Sequence, residues 1–191
     1  SKEFYCEVIV DEARKMNQMV KKIMDLNQLE FGYNTVTMEH FDIIAMIRAV
    51  IAKSDILLKQ KEINLAFDED APIYVWSDAY MSEEVFTNYL TNAINHADGE
   101  KRIDIQLEKK EKTVKITVHN TGEQIPEEDL SKLWDKFYKV DKARTREYGG
   151  SGIGLSIVKK IIEDHGGRIW TTSKEGIGTE IHFVLRKYVG A

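Results

Sequence analysis

Apolar side chains recur at helical spacing along the first thirty residues. Between about Phe4 and Glu30 they fall every three or four positions, charged side chains fill the other side, and no proline or glycine interrupts the run. Gly32 and Asn34 then provide a stop signal. The pattern predicts one long amphipathic helix. Such a long apolar stripe favours pairing with another helix in a hairpin or dimeric bundle, and packing on the chain's own domain is the alternative.

The rest of the chain alternates between strand and helix patterns. Asp42 and Asp78 are candidate N-caps of two helices, and short helical turns are expected after Pro126. Neighbouring strand patterns joined by short polar turns predict an α+β fold, a two-layer α/β sandwich with a mixed sheet and its helices on one face. The predicted strands are 35–39, 63–67, 73–76, 103–107, 114–118, 168–172 and 179–185.

Composition narrows the class of protein. A net charge of −5 with scattered basic residues disfavours a nucleic-acid surface, so no nucleic-acid partner is expected. Cys6 is the single cysteine, which excludes an internal disulfide and fits a reducing compartment. No apolar run approaches the roughly 18 residues that span a bilayer. Because the helical pattern begins at once, we expect the sequence to be a piece of a longer protein.

A glycine-rich stretch, Gly149–Leu155, precedes a helical stripe of isoleucines and valines. Such a loop offers unpaired backbone N–H groups and a helix N-terminus to an anion, so phosphate binding is one interpretation and a flexible loop is the other. No Gly-Lys-Ser or Gly-Lys-Thr occurs, which excludes a Walker-type P-loop. The charged segment 141–148 before the loop disfavours a dinucleotide-binding loop, which should leave an apolar strand directly.

Two asparagines lie four residues apart inside a predicted helix. Asn88 and Asn92 therefore share one face, although asparagine is unfavourable within a helix. An amide oxygen is a neutral ligand that suits Mg²⁺, and capping or surface exposure is the alternative explanation.

Further pieces follow in order: Val118–Pro126, Trp134–Tyr138 and Gly176–Thr179. Together with 88–97 and the glycine-rich stretch, they resemble the N box, glycine boxes and F box of bacterial two-component sensor histidine kinases. Their ATP-binding domain, of the Bergerat type, is shared with gyrase, Hsp90 chaperones and mismatch-repair ATPases. The resemblance covers about 35–186. It implies that residues 1–32 are the second helix of a dimerisation and phosphotransfer hairpin, and residues 35–188 the ATP-binding catalytic domain.

The resemblance implies cofactors ATP and Mg²⁺, with Asn92 as the metal ligand. Lys139 and Arg144 would be candidates for stabilising phosphate charge, and Phe137 a core anchor of the ATP lid. The implied nucleotide-binding residues are Asn88, Asn92, Asn95, His96, Asn120, Gly122, Ile125, Lys139, Gly150, Ser151, Gly152, Ile153, Gly154, Leu155 and Thr179.

The chain departs from the family pattern at several of these positions. Asn95 and His96 stand where relatives often have Lys and Tyr, which removes one phosphate-neutralising cation. Asn120 replaces the Asp that accepts the adenine amino hydrogen, and a neutral amide oxygen accepts more weakly than a carboxylate. Gln124 replaces the second glycine of its box.

None of the five histidines resembles the family's phosphate acceptor, which is expected upstream of Ser1. The implied function is transfer of the ATP γ-phosphoryl group to that histidine for relay to an Asp of a response regulator. The implied protein is a homodimer, and this chain its cytoplasmic part, anchored in a bacterial membrane only through missing upstream segments. The alternatives are another ATPase or serine kinase of the superfamily, or a degenerate dimerisation module without catalysis. Val118–Gly122 most resembles Gram-positive kinases of the vancomycin-resistance sensor (VanS) type.

Overall fold

The structure is a computed structural model that describes residues 2–30, 36–138, 154–164 and 166–188. Its helices are α1 (Lys2–Glu30), α2 (Ile43–Gln60), α3 (Ala79–His96), the short α4 (Glu127–Leu130) and α5 (Gly154–Asp164), with a 3-10 turn at Lys132–Trp134. Its strands are β1 (Glu39–Asp42), β2 (Asn64–Ala66), β3 (Tyr74–Ser77), β4 (Arg102–Lys109), β5 (Thr113–Asn120), β6 (Arg168–Lys174) and β7 (Gly178–Arg186).

The predicted N-terminal helix is confirmed as α1, which is 29 residues long. Most of its large apolar side chains face solvent, among them Ile9, Met16 and Val20. Near its other end α1 contacts α5, and Ile23 packs against the core. The division of the chain into residues 1–32 and 35–188 stays a prediction. In the described residues, no helix combines the length and the apolar character that a bilayer crossing would need.

Both predicted helix caps are confirmed. The Asp42 side chain accepts a hydrogen bond from Ile44 N at 3.0 Å and thereby begins α2. The buried Asp78 accepts from Met81 N at 2.9 Å and begins α3. Each aspartate satisfies one of the N–H groups that a helix start leaves unpaired.

The strand predicted at 35–39 is wrong in position, because β1 covers Glu39–Asp42. The second carboxylate oxygen of Asp78 accepts the backbone N–H of Thr37 at 2.8 Å, so a side chain binds this stretch of backbone. Pairing with β3 begins only at Glu39, opposite Ser77. The alternation of the sequence here marks the approach to a strand and not the strand itself.

Five strands form a mixed sheet in the order β2-β4-β5-β7-β6, and β1 pairs with β3 in a second, two-stranded sheet. Only the β2–β4 pair of the larger sheet is parallel. Val75 of β3 bridges to Lys187 just beyond β7, which links the two sheets. The predicted two-layer α+β sandwich with a mixed sheet is confirmed.

The core lies between the helices and one face of the larger sheet. Ile103, Ile116 and Phe183 face inward from three neighbouring strands, and helices α2, α3 and α5 cover them with buried side chains of their own. Residues at alternate positions, such as Thr117 and His182, face the other side of the sheet. The end of β5 and the start of β7, which pair with each other, therefore lie on the side of the sheet that α3 covers.

Tyr89 on α3 lies fully within the core. Its ring meets Phe183 edge-to-face at 5.2 Å, but its hydroxyl has no hydrogen-bond partner within the described residues, and burial raises the tyrosine pKa well above its ordinary value. A buried hydroxyl without a partner costs about 1–3 kcal/mol in desolvation.

Tyr89→Phe is therefore expected to leave the free energy of unfolding unchanged or raise it by up to about 1 kcal/mol. Urea unfolding of both proteins measures the difference. Tyr89→Leu is the control, because it removes the ring contact with Phe183 and should destabilise the fold. A Phe variant that is clearly less stable than the wild type would show that the hydroxyl is hydrogen-bonded in solution.

Candidate functional site

Asn88 and Asn92 lie half-buried on one face of α3, as their spacing predicts. The Asn88 amide nitrogen donates to the Glu84 carbonyl at 2.8 Å, which leaves its oxygen to face away from the helix. A Cβ placed on Gly154 would lie 2.7 Å from that oxygen. The first described residue of α5 is thus in contact with Asn88, and a side chain at 154 would displace the Asn88 amide or separate the two helices.

Asn92 has a half-buried amide, one turn beyond Asn88 on α3. Within the part of the chain that the structure describes, its side chain makes no hydrogen bond. It lies one helical turn beyond Asn88, so its oxygen is available to a ligand at the same helix face. An amide oxygen next to a phosphate site is a suitable donor for Mg²⁺, which completes its octahedron with water and phosphate oxygens.

The end of α3 meets the end of β5 at Gly122. This glycine has a φ of +150°, and a Cβ on it would lie 2.5 Å from the His96 carbonyl oxygen. Beside this contact, the backbone N–H of Asp98 donates to the Thr121 carbonyl at 3.0 Å. The residue type at 122 is therefore dictated by backbone proximity as well as by conformation.

Asn120 ends β5 and is only 6% exposed. Its amide nitrogen donates to the Thr121 carbonyl at 3.1 Å, and its oxygen makes no hydrogen bond within the described residues, so it can accept one. In β7, Thr179 lies directly opposite Asn120. Gly178, with a φ of +117°, approaches so closely that a Cβ would lie 2.1 Å from the Asn120 carbonyl oxygen.

Ser173 is a member of this cluster that the sequence analysis missed. Its hydroxyl accepts from Ile125 N at 2.9 Å and lies 2.9 Å from the Thr179 hydroxyl. It therefore links the segment after β5 to the start of β7. The signal was a serine facing the helix side of a strand, but its partners depend on the β6–β7 register, which the sequence does not reveal.

Asn95 has a partner from outside α3. Lys61, the C-cap of α2, donates its ammonium to the Asn95 amide oxygen at 2.9 Å and to the Ile94 carbonyl at 3.4 Å. Burial lowers the Lys61 pKa. A lysine from another part of the chain thus contacts the residue that stands where the resemblance implies a lysine. His96 is exposed, and Leu155 is partly buried against the core.

The F-box segment is ordered by Tyr138 and not by Phe137. The Tyr138 hydroxyl donates to the Asp129 carboxylate at 2.5 Å, and Lys132 donates to the same oxygen at 3.1 Å. The hydrogen bond from Tyr138 lowers the Asp129 pKa. Phe137 has a φ of +65° and is 58% exposed, so the expectation that it anchors the core is wrong. Trp134 is the residue of this segment that packs against the core.

The predicted lid residues Lys139, Arg144, Gly150, Ser151, Gly152 and Ile153 lie outside the described residues, and their roles stay predictions. Two cavities, of about 430 and 570 Å³, lie elsewhere, beside α5. They share Trp134, Lys159 and Glu163 in their walls and include none of the predicted nucleotide contacts. A nucleotide site is therefore indicated by the close packing around α3 and not by a cavity.

The arrangement suits a purine nucleotide with its phosphates on the side of Asn88. Asn120 offers a buried acceptor for an exocyclic amino group, and Gly122 keeps the backbone beside it free of a side chain. Asn88 lies against Gly154, the first described residue of α5, and Asn92 lies one turn further along α3. These acceptors suit an adenine nucleotide, and amide oxygens are ligands that suit Mg²⁺.

Comparison with known proteins identifies the class. Residues 78–189 match the family model described as histidine kinase-, DNA gyrase B-, and HSP90-like ATPase. The chain belongs to this family. Within the family it is a catalytic ATP-binding domain of the histidine kinase type, as the following relatives show.

The sensor protein kinase WalK of Staphylococcus epidermidis is 33% identical over 186 residues, which is 95% of this chain and 30% of WalK. The catalytic domain of histidine kinase ThkA, solved without nucleotide, is 33% identical with a TM-score of 0.69, over 79% of this chain and 96% of that one. ThkA solved with response regulator protein TrrA is 28% identical with a TM-score of 0.76, over 96% of this chain and 51% of that one.

The chain therefore spans about 30% of the length of this WalK relative. These relatives are histidine kinases, which disfavours the gyrase-like and serine-kinase alternatives. They do not support the finer assignment to the vancomycin-resistance sensor type.

Proposed function

We propose that this domain binds Mg-ATP at the end of α3 and presents its γ-phosphate to a histidine on a helical hairpin. In that reaction an imidazole nitrogen bonds to the γ-phosphorus, the bond to the bridging oxygen breaks, and ADP leaves. The phosphoryl group then passes to an Asp of a response regulator. The bound Mg²⁺ would neutralise charge that develops on the phosphates.

The observation that carries the proposal is that three glycines bring separate segments against α3 and the strand end beside it. Gly154 contacts Asn88 in the middle of α3, Gly122 contacts the His96 carbonyl at the end of this helix, and Gly178 contacts Asn120. In each case protein atoms occupy the space that a Cβ would need, so the glycines allow close packing of segments that are far apart in the sequence. Sequence spacing alone would not bring them together.

The proposed residue roles follow from this geometry. Asn120 would accept the adenine amino hydrogen, with Gly122, Ile125 and Thr179 around the base. Asn88 and Asn92 would lie at the phosphates, with Asn92 on Mg²⁺. Lys139 and Arg144 would contribute positive charge from the lid, as the resemblance implies.

The proposal also covers the partner, the oligomeric state and the cellular location of the protein. ThkA was solved with a response regulator protein, which supports a receiver domain as partner of this chain. The exposed apolar side chains of α1 support a homodimer formed through the helical hairpin. A cytoplasmic location is proposed because the cofactor ATP is an intracellular metabolite. The resemblance of Val118–Gly122 to sensors of the vancomycin-resistance type supports no narrower assignment.

The test is phosphoryl transfer from γ-labelled ATP to a separately expressed hairpin that carries an acceptor histidine of a related kinase. We expect acid-labile phosphate on the hairpin, none on this chain alone, and at least about tenfold slower labelling with Asn120→Leu, because leucine cannot accept the adenine hydrogen bond. Label on this chain's own histidines would contradict the proposal.

A second candidate is a partner-binding module without turnover. Two observations favour it: Asn120 is neutral, and the Asn95 amide is engaged by Lys61. Titration with a fluorescent ATP analogue separates the candidates, since a degenerate module should not bind it. Binding without transfer to any hairpin would favour a nucleotide-responsive module over a kinase.

A further inference from the structure

A polar row crosses the outer face of the sheet directly behind the proposed adenine site. The strand registers place Asp104 of β4 beside His119 of β5, His119 beside Glu180 of β7, and Glu180 beside Thr172 of β6. His119 immediately precedes Asn120, and Glu180 immediately follows Thr179. Because side chains alternate between faces, the row backs Asn120 and Thr179 without touching a ligand.

His119 is the centre of this row, and its ring is held at both nitrogens. Its Nδ1 lies 3.4 Å from the Asp104 carboxylate, and its Nε2 lies 3.0 Å from the Ile177 carbonyl oxygen. The other Asp104 oxygen accepts two hydrogen bonds from Arg102, at 2.9 and 2.7 Å. The side chains of His119 and Asp104 are 16% and 14% exposed, so the row is partly shielded from water.

Both neighbours of the ring can only accept hydrogen bonds. A carboxylate and a carbonyl have no hydrogen to give, and a neutral imidazole has one N–H. Only the doubly protonated ring donates to both at once. Protonated, His119 joins β4 to the turn between β6 and β7; neutral, it can keep one of the two contacts.

The turn that His119 contacts is the one that carries Gly178. Ile177 immediately precedes Gly178, whose backbone lies against the Asn120 carbonyl. Thr179 follows and pairs with Asn120 across the strands. A hydrogen bond that holds the Ile177 carbonyl therefore also holds Gly178 and Thr179, which form one side of the proposed adenine site.

We propose that His119 is a positioning residue of the nucleotide site, which in its doubly protonated form ties the β6–β7 turn to Asp104 and holds Gly178 and Thr179 against Asn120. This inference rests on the proposed function, because Asn120 binds adenine only if the nucleotide lies there. It predicts that adenine affinity depends on the charge of a residue that never touches the ligand.

Charged groups face His119 from both neighbouring strands and from the turn. Asp104 and Arg102 approach it from β4, and Glu180 faces it from β7, where its carboxylate accepts from the Thr172 hydroxyl at 3.1 Å. His182, on the same face, lies 3.5 Å from the Glu180 carboxylate, and Lys174 and Glu175 lie exposed in or beside the same turn. The wild type and a variant at 119 share all of these groups, so the ratio of the two proteins assigns a pH effect to His119.

The experiment measures the dissociation constant of a fluorescent adenine nucleotide from pH 5.5 to 8.5 for the wild type and His119→Gln. The ratio of the two constants at each pH removes the titration of the nucleotide phosphates. We expect the variant to bind about tenfold more weakly at the low end and about two- to threefold more weakly at the high end. A ratio that does not change with pH would overturn the inference.

A second variant, Asp104→Asn, tests whether the pH dependence arises from the contact between His119 and Asp104. Its amide can donate to a neutral ring nitrogen or accept from a protonated one, so both states of His119 can be satisfied. The pH dependence assigned to His119 is therefore expected to disappear. His182→Gln is the control for another histidine on the same outer face. His182 bonds to the Thr117 and Thr172 hydroxyls and lies 3.5 Å from Glu180, but it does not bond to the turn, so the pH dependence assigned to His119 should persist in this variant.

A measurement without nucleotide separates this inference from the proposed function. Amide hydrogen exchange in the turn 175–178, as the ratio of His119→Gln to wild type at each pH, should show faster exchange in the variant, with the larger ratio at low pH. If no adenine nucleotide binds but this ratio holds, the proposed function fails and the positioning contact stands. If nucleotide binds and the exchange ratio is flat, the contact fails alone.

Discussion

Gly178→Ala is expected to lower the free energy of unfolding by about 3–5 kcal/mol. The residue has a φ of +117°, which alanine avoids, and its new Cβ would lie 2.1 Å from the Asn120 carbonyl oxygen. Neither atom can rotate away, because both belong to the backbone of paired strands. The start of β7 would have to move away from β5. Urea unfolding measures the loss of stability, and an unchanged slope of the transition confirms that the two proteins can be compared.

Gly176→Ala in the same hairpin turn is the matched control. Its φ of +72° also disfavours alanine, but nothing lies within 4 Å of the added Cβ. Its cost should be the conformational part alone, about 1 kcal/mol. Equal destabilisation by the two variants would mean that the close approach at Asn120 is absent in solution.

Asn92→Ala is expected to weaken binding of an ATP analogue about tenfold or more with Mg²⁺ present, and less than about twofold when the metal is chelated. The amide makes no hydrogen bond within the described residues, so its removal breaks no hydrogen bond among them. Alanine also favours the helix by about 0.5 kcal/mol over asparagine. Weaker binding should therefore accompany equal or greater stability.

Thr91→Ala is the control for Asn92, since Thr91 is the neighbouring residue on α3 and is exposed. Calorimetric titration with and without magnesium measures both proteins. An Asn92 variant that loses the same affinity in both conditions would assign the amide to the nucleotide and not to the metal. Unchanged affinity in both conditions would remove Asn92 from the site.

Local chemistry made the elements predictable. Aspartates before apolar helical runs placed the starts of α2 and α3 correctly, because an N-cap acts on N–H groups only two or three residues away. Alternation located β4 and β5 for the same reason, since each strand shows its own two faces. The displaced β1 shows the limit: its position depends on Asp78, which is 41 residues from Thr37.

The candidate site was predictable only in part. The resemblance indicated Asn88, Gly122 and Asn120; the structure brings Gly122 to the end of α3 beside Asn120, whereas Asn88 lies in the middle of that helix against Gly154. Contacts that depend on register or on another helix could not be predicted, which explains why Ser173 and the Lys61–Asn95 contact were missed. Phe137 was misjudged because aromatic side chains are usually buried, whereas this one lies in a left-handed turn with its ring in solvent.

The contact between Asn88 and Gly154 has a mechanical consequence. The Asn88 amide oxygen occupies the space where a Cβ at 154 would begin, so a larger residue there has to displace this amide or move α5 away from α3. Glycine at 154 therefore sets how closely α5 can pack on α3 at this point.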